Sequence, residues 1–197
     1  AVAAMVWSGC DRAPDRDTPL SPAEQALVQS LSPPPALPPS PTNRYADNPD
    51  AAQLGHALFF DARLSGNGKV SCATCHTPEL YYSDAKPLAE GVERAAMHAP
   101  TIFGSHWAPF QFWDGRADSP WAQALGPLEN PKEHGTTRLG VAHVVAEHHA
   151  AAYEAIFGPL PPLADMDRFP AAGRPHEHDP AHGEQLAWGS MSEADRD

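Results

Sequence analysis

Residues 71–76 read Ser71-Cys72-Ala73-Thr74-Cys75-His76, inside the longer stretch 54–80, LGHALFFDARLSGNGKVSCATCHTPEL. Two thiols three positions apart lie on one side of a helical turn. They can add to the two vinyl groups of one haem, and the neighbouring His76 then faces the iron as its proximal ligand. A zinc site would need further ligands at suitable spacing. The chain has three cysteines, and only Cys10 is left outside this string. The stretch therefore assigns one covalently bound haem c to Cys72, Cys75 and His76. It also sets the fold class as all-α, a cytochrome c-like haem domain with long loops.

Upstream, AAQLGHALFF (51–60) brings Leu54, Leu58 and Phe59 onto one helical face. Ser65-Gly66-Asn67-Gly68 then makes a turn. The haem domain is expected over residues 50–158. Ten of the 23 prolines fall between Pro14 and Pro49, so residues 11–49 read as a Pro-rich tether. Pro22 to Leu31 is long enough there for one or two helical turns. Residues 1–10, AVAAMVWSGC, read as the remnant of an export or lipoprotein signal. That places the protein in a bacterial periplasm, with Cys10 the residue that a lipid anchor would use.

Downstream, Pro78, Pro87, Pro100 and Pro109 break residues 77–112, with Gly91 and Gly104 between them. A long structured loop is expected, the kind of segment that carries functional groups. Ser119-Pro120 is a cap and first-turn pair for a short helix, 120–125. A longer helical stretch runs from Thr137 to Phe157, with a break near His148 and a stop at Gly158-Pro159. Leu139, Ala142, Val145, Tyr153, Ile156 and Phe157 are its core candidates. Residues 159–183 are Pro- and His-rich and loop-like. Ser192-Glu193-Ala194-Asp195 announces a helix just before the chain stops, so residues 159–197 read as a loop and the start of a truncated C-terminal region.

The 197 residues are 42% apolar, with 13 basic against 25 acidic side chains and a formal charge of −12. Phosphate-backbone binding needs clustered cations, so nucleic acid is excluded as a partner. A cationic protein partner is compatible with this charge. There is no run of 18 apolar residues and hence no complete membrane span in the chain.

What a haem does depends on the face of the iron opposite His76. A methionine there gives an electron carrier, and an open face with acid/base groups gives peroxide chemistry. The downstream methionines, Met97, Met166 and Met191, read as packing or loop residues. His176, His178 and His182 raise the question of a metal, but the residues between them suit a solvated loop better.

Three ordered blocks resemble the N-terminal haem domain of bacterial di-haem cytochrome c peroxidases, a superfamily that includes the MauG-type enzymes. They are the stretch 54–80, HAPTIFGSHW (98–107) and QFWDGRADSPWAQALGPLENPKEHG (111–135). The resemblance implies reduction of hydrogen peroxide to water, with electrons from a small cytochrome c or a cupredoxin. It implies that His76 is the proximal ligand of the peroxide-reacting haem and that Trp113 lies on the electron path. It also places Gln123 and Glu133 in the distal pocket. A carboxylate such as Glu133 can take a proton from peroxide and return it to the leaving oxygen. Gln123 can orient the substrate by donating and accepting hydrogen bonds.

The chain departs from that pattern at several places. Residues 88–93 lack the displaceable histidine of the family. His98 stands where an asparagine helps to bind calcium, which puts calcium in doubt. His134 follows the distal glutamate and would tune it if close. Arg116 can pair with Asp114 or with a haem propionate. No second C-x-x-C-H is present, so a second haem is expected in a missing C-terminal part. A homodimer is compatible with this pattern. The alternatives are a MauG-like haem oxidase acting on a protein side chain and a plain electron-transfer cytochrome c.

Overall fold

A computed structural model describes residues 19–31, 36–37, 39–176 and 178–196. The reading of residues 1–10 as an export signal, and of Cys10 as a lipid attachment point, lies outside them.

The chain divides into two units, Ala1–Leu37 and Pro38–Asp197. In the first, helix α1 spans Pro22–Ser30, at nine residues slightly longer than the one or two turns expected. The Ser21 hydroxyl accepts from the Glu24 N–H, and the Glu24 carboxylate accepts from the Ser21 N–H. That reciprocal pair serves two donors the helix itself leaves unsatisfied. No residue of α1 is buried.

In the second unit the helices are α2 (Pro49–Phe59), α3 (Cys72–Cys75), α4 (Pro120–Glu129), α5 (Arg138–His148), α6 (Ala150–Phe157), α7 (Gly183–Ser190) and α8 (Glu193–Arg196). Among the described residues there is no strand, only three isolated antiparallel bridges. The fold is all-α, as the haem string implies. Residues 77–112 hold two 3-10 turns, Pro78–Leu80 and Ser105–Trp107, and otherwise run as a loop.

Local chemistry sets the helix ends. Asn48 accepts from the Asp50 and Ala51 N–H groups ahead of Pro49, Ser119 from Ala122, and Thr137 from Gly140. The expected break comes at His149, between α5 and α6. Its imidazole Nε2 donates to Asp61 Oδ2 at 2.7 Å, and Arg63 engages both oxygens of the same buried carboxylate. Helix α4 corrects the expected end at 125, since it continues to Glu129 through Pro127. Pro127 has no N–H to give the Gln123 carbonyl. The turn nevertheless closes, because the Asn130 N–H reaches the Gly126 carbonyl at 3.0 Å.

Helix α2 packs on α6, α6 on α5, and α5 on the turn Ala62–Leu64. Phe157, expected in the core, stays 40% exposed; its ring meets Tyr45 edge-on and tilts against Tyr153, both at 4.7 Å. The buried cluster lies elsewhere: Leu139 of α5 meets Leu163, Phe169 and Met191, with Leu160 and Trp188 against them. The chain after Phe157 thus folds back onto α5. Met191 is packing, and Met166 is an exposed loop residue. Phe169 is the one side chain among the described residues that is fully buried, so the protein supplies a thin core of its own.

Candidate haem site

The cysteine turn is built from both sides. Ahead of it, the Ser71 N–H donates to Thr74 Oγ1 at 3.0 Å, and the His76 N–H closes on the Cys72 carbonyl at 2.9 Å. Behind it, the Gly66 N–H donates to the His134 carbonyl at 2.8 Å. A Cβ on Gly66 would lie 2.4 Å from the Gly135 carbonyl oxygen, so the two strands of chain cross where only glycine fits. That crossing delivers His134, 3% exposed, to the cysteines. Its Nδ1–H donates to the Leu64 carbonyl at 3.1 Å, which leaves Nε2 to accept from the Cys72 thiol at 3.8 Å. Burial holds this imidazole below its usual range, in keeping with a neutral ring. Burial likewise pushes both thiols up, and the charges of Asp84 and Glu133 add to the effect on Cys75.

His76 is oriented by backbone. Its Nδ1 lies 3.0 Å from the Tyr82 carbonyl. A carbonyl only accepts, so Nδ1 carries the proton and Nε2 is the bare, ligating nitrogen. Tyr81 and Tyr82 reach this position in left-handed conformations, φ 54° and 57°. The Thr77–Ser83 bridge and a hydrogen bond from the Thr101 hydroxyl to the Tyr81 carbonyl hold the loop.

Cys75 and His76 line a cavity of about 650 Å³, within the range of roughly 300–1,000 Å³ typical of ligand pockets. Two thiols on one turn, an imidazole with a free Nε2 and a cavity of this size fit a covalently attached haem. The same cavity is lined by Gln123, Glu133 and Trp113, so the loop after His76 and helix α4 bring the sequence candidates together. Met97 and His98 line it too.

The particulars differ from the sequence reading at His134, while Arg116 takes one of the two partners expected of it. Trp113 is 58% exposed. It sits in the Asp114-Gly115-Arg116 turn, its indole N–H on the His98 carbonyl at 3.3 Å and its ring 4.8 Å from the His98 ring. Arg116 pairs with both oxygens of Asp114 and covers the Phe112 ring at 3.5 Å. His134 turns to Cys72 and Leu64, and the group that holds the Glu133 carboxylate is Asn130, whose Nδ2 donates to Oε1 at 2.6 Å. The sequence reading missed both Asn130 and the Tyr82 carbonyl. The first had a signal: an Asn-Pro turn three residues ahead of the glutamate, in which Asn130 Oδ1 accepts from the Lys132 N–H. Among the described residues the Gln123 amide makes no hydrogen bond, so it is available to a ligand.

The sequence profile described as di-haem cytochrome c peroxidase matches residues 49–176. The cytochrome c551 peroxidase of Nitrosomonas europaea is 37% identical over 116 residues, which cover 57% of this chain and 35% of that protein. The methylamine utilization protein MauG of Methylorubrum extorquens is 46% identical over 87 residues, 43% of this chain and 25% of that protein. Among solved structures, the diheme peroxidase BthA of Burkholderia thailandensis superposes with a TM-score of 0.53 at 27% identity, over 61% of this chain and 36% of that one. The chain thus spans between a quarter and about a third of the length of these relatives. With the haem string, the cavity and the profile match in agreement, the chain belongs to the di-haem cytochrome c peroxidase family.

Proposed function

We propose that this chain carries the peroxide-reducing haem domain of a cytochrome c peroxidase. The reaction joins hydrogen peroxide, two protons and two electrons to give two waters. A small cytochrome c or copper protein supplies the electrons, through a second haem on the rest of the protein. One observation carries this reading: Glu133 and Gln123 line the same cavity as His76 and Cys75.

In this reading Cys72 and Cys75 hold the haem through thioether bonds and His76 through Nε2. When bound, the haem supplies the redox-active iron for O–O cleavage. The chain's own groups manage protons and orientation. Asn130 occupies Glu133 Oε1, so Oε2 is the atom that takes a proton from one peroxide oxygen and returns it to the leaving one. The Gln123 amide orients the substrate. Trp113, at the cavity wall, serves the electron path. The setting is the bacterial periplasm, with Cys10 a point of lipid attachment.

Glu133→Gln tests the reading. The second-order rate with hydrogen peroxide should fall by roughly 10²–10⁴, the usual worth of a general acid/base, with the haem spectrum retained. Equal rates in the two proteins would refute the role.

A second reading, a MauG-like oxidase that withdraws electrons from a side chain of another protein, is favoured by the exposure of Trp113 beside the cavity. Steady-state turnover with reduced cytochrome c separates the two, since the oxidase would show little. A ferric spectrum with a methionine–iron charge-transfer band would point instead to an electron carrier; of the three downstream methionines, Met97 is the one on the cavity.

A further inference from the structure

Away from the haem cavity, the segment His176 to Glu184 leads into α7. Among the described residues, His176, His182 and Glu184 form one group whose donor atoms all lie within 4.8 Å of one another. We propose that these three side chains form a site for a borderline divalent cation of the zinc type, which clips the 176–182 loop to the start of α7.

The donor set points to this chemistry. Two imidazole nitrogens and one carboxylate oxygen are ligands zinc accepts, with a fourth position for water. Calcium and magnesium require oxygen shells that this cluster does not provide. The spacing is close to what is needed. Glu184 Oε2 is 2.8 Å from His176 Nε2 and 4.0 Å from His182 Nδ1. Donors on a tetrahedral centre with bonds of about 2.0–2.1 Å stand about 3.3 Å apart. Side-chain shifts of the order of an ångström close the difference. The two imidazole rings stack at 3.8 Å and 17°, so one must turn for its lone pair to converge. His182 has room to do so, its side chain being 42% exposed, but it gives up the hydrogen bond that its Nδ1 accepts from the Glu184 N–H at 3.2 Å.

The carboxylate is already oriented. Arg174 Nε donates to Glu184 Oε2 at 2.8 Å, and its Nη1 is fixed on the Glu129 carbonyl at 2.7 Å. Glu184 Oε2, the oxygen that faces both histidines, is the one a cation would take, and Oε1 carries no hydrogen bond among the described residues, so the carboxylate can turn to share its charge between Arg174 and the ion. Outer hydrogen bonds of this kind set ligand direction in metal sites. The guanidinium charge opposes a cation, which makes the site one for an exchangeable ion. The loop is pinned as well, since the His176 N–H donates to Gln185 Oε1 on α7 at 2.6 Å. His178, grouped with these histidines on sequence alone, is exposed and outside the cluster, and Glu184 takes its place. A clip here would steady α7 as it lays Trp188 on the core cluster ahead of Met191.

The test uses the haem-loaded full chain, stripped with chelator, desalted and titrated with zinc chloride in a calorimeter. Cys72 and Cys75 do not compete there, being thioethers. One saturable equivalent and a rise in the thermal transition are expected. His182→Ala and Glu184→Gln should each weaken binding at least about tenfold and remove the rise. His182 is half-buried and its alanine variant loses only the cap on the Glu184 N–H, so it keeps the fold even if the loss of the Arg174 contact disturbs Glu184→Gln. No saturable zinc binding in the parent, or a His182→Ala protein that binds as the parent does, overturns the site.

Discussion

The imidazole of His76 and the backbone carbonyl of Tyr82 stand 3.0 Å apart, and the left-handed backbone at Tyr81 and Tyr82 is what aims that carbonyl. A side chain in this region costs about 1–2 kcal/mol per residue, so two bulky residues there mark a position the surroundings over-determine. Tyr82→Gly should keep the carbonyl in place. Its stability is expected within about 1 kcal/mol of the parent, relief of strain offsetting the lost contact with Phe59. Tyr82→Pro fixes φ near −65° and swings the carbonyl away. It should lose more than about 1 kcal/mol in denaturant unfolding and shift the haem reduction potential. An unchanged potential in the proline variant would show that this hydrogen bond does not set the state of His76.

Asn130 holds Glu133 through a hydrogen bond of 2.6 Å to Oε1. Bonds to charged groups contribute about 1.5–3 kcal/mol, and 1.4 kcal/mol is about tenfold in rate. Asn130→Ala should therefore slow the reaction with peroxide about tenfold or more, read by stopped flow, while haem attachment stays intact. Asn130→Asp is expected to change the pH profile as well, because a second carboxylate beside Glu133 favours its protonated form. Parent-like profiles in both variants would remove Asn130 from the positioning of Glu133.

Asp61 is buried under the break between α5 and α6. Its hydrogen bonds from Arg63, and then from His149, hold the carboxyl well below the usual carboxylate range against the opposing effect of burial. A carboxyl depressed in the folded state stabilises the protein above its unfolded value, near 3.9. That contribution is lost as the pH falls through the folded value. Asp61→Asn should thus cost about 2–3 kcal/mol at pH 7, and the gap to the parent should shrink steadily below about pH 4. An equal gap at pH 3 and pH 7, from urea unfolding, would assign the effect to shape rather than charge.

How much of this was legible in the sequence follows from the range of each interaction. Helix starts rest on a cap and the next three residues, so Ser119, Thr137 and the break near His148 could be read directly. The end of α4 could not be, because tolerance of Pro127 depends on the Asn130 N–H finding the Gly126 carbonyl beyond it. The haem string is a contiguous motif and was plain. What it leaves out is the return of the chain: the Tyr82 carbonyl comes from a loop conformation that tyrosine does not announce, and the contact of His134 with Cys72 spans 62 positions. The burial of Met191 likewise turns on where the chain after Phe157 goes. Helix α7, with little apolar periodicity in its eight residues, gave no sign of that return.

Gly91, on the wall of the cavity, packs directly against the backbone that carries Glu133. The Val92 N–H donates to the Glu133 carbonyl at 2.8 Å and the Glu93 N–H to the Lys132 carbonyl at 3.0 Å, which lays this turn flat against the segment carrying Glu133. A Cβ on Gly91 would meet the Lys132 carbonyl oxygen at 2.6 Å, and Glu133 Cα and carbonyl oxygen at 2.7 Å. All three are backbone atoms, so no side chain can swing aside, and Gly91→Ala must push the Glu133 segment bodily away. Overpacking of this kind costs about 1–3 kcal/mol. A shift of about an ångström in a catalytic group can cost about a hundredfold in rate. The variant should therefore unfold at lower denaturant and react with peroxide some ten to a hundred times more slowly, its haem still attached. Gly55→Ala is the matched control, since a Cβ there meets nothing within 4 Å on the outer face of α2; it should gain about 0.5–1 kcal/mol and leave the peroxide rate alone. If the two alanine variants behave alike, the close approach at Gly91 does not fix the position of Glu133, and the carboxylate must be held by Asn130 alone.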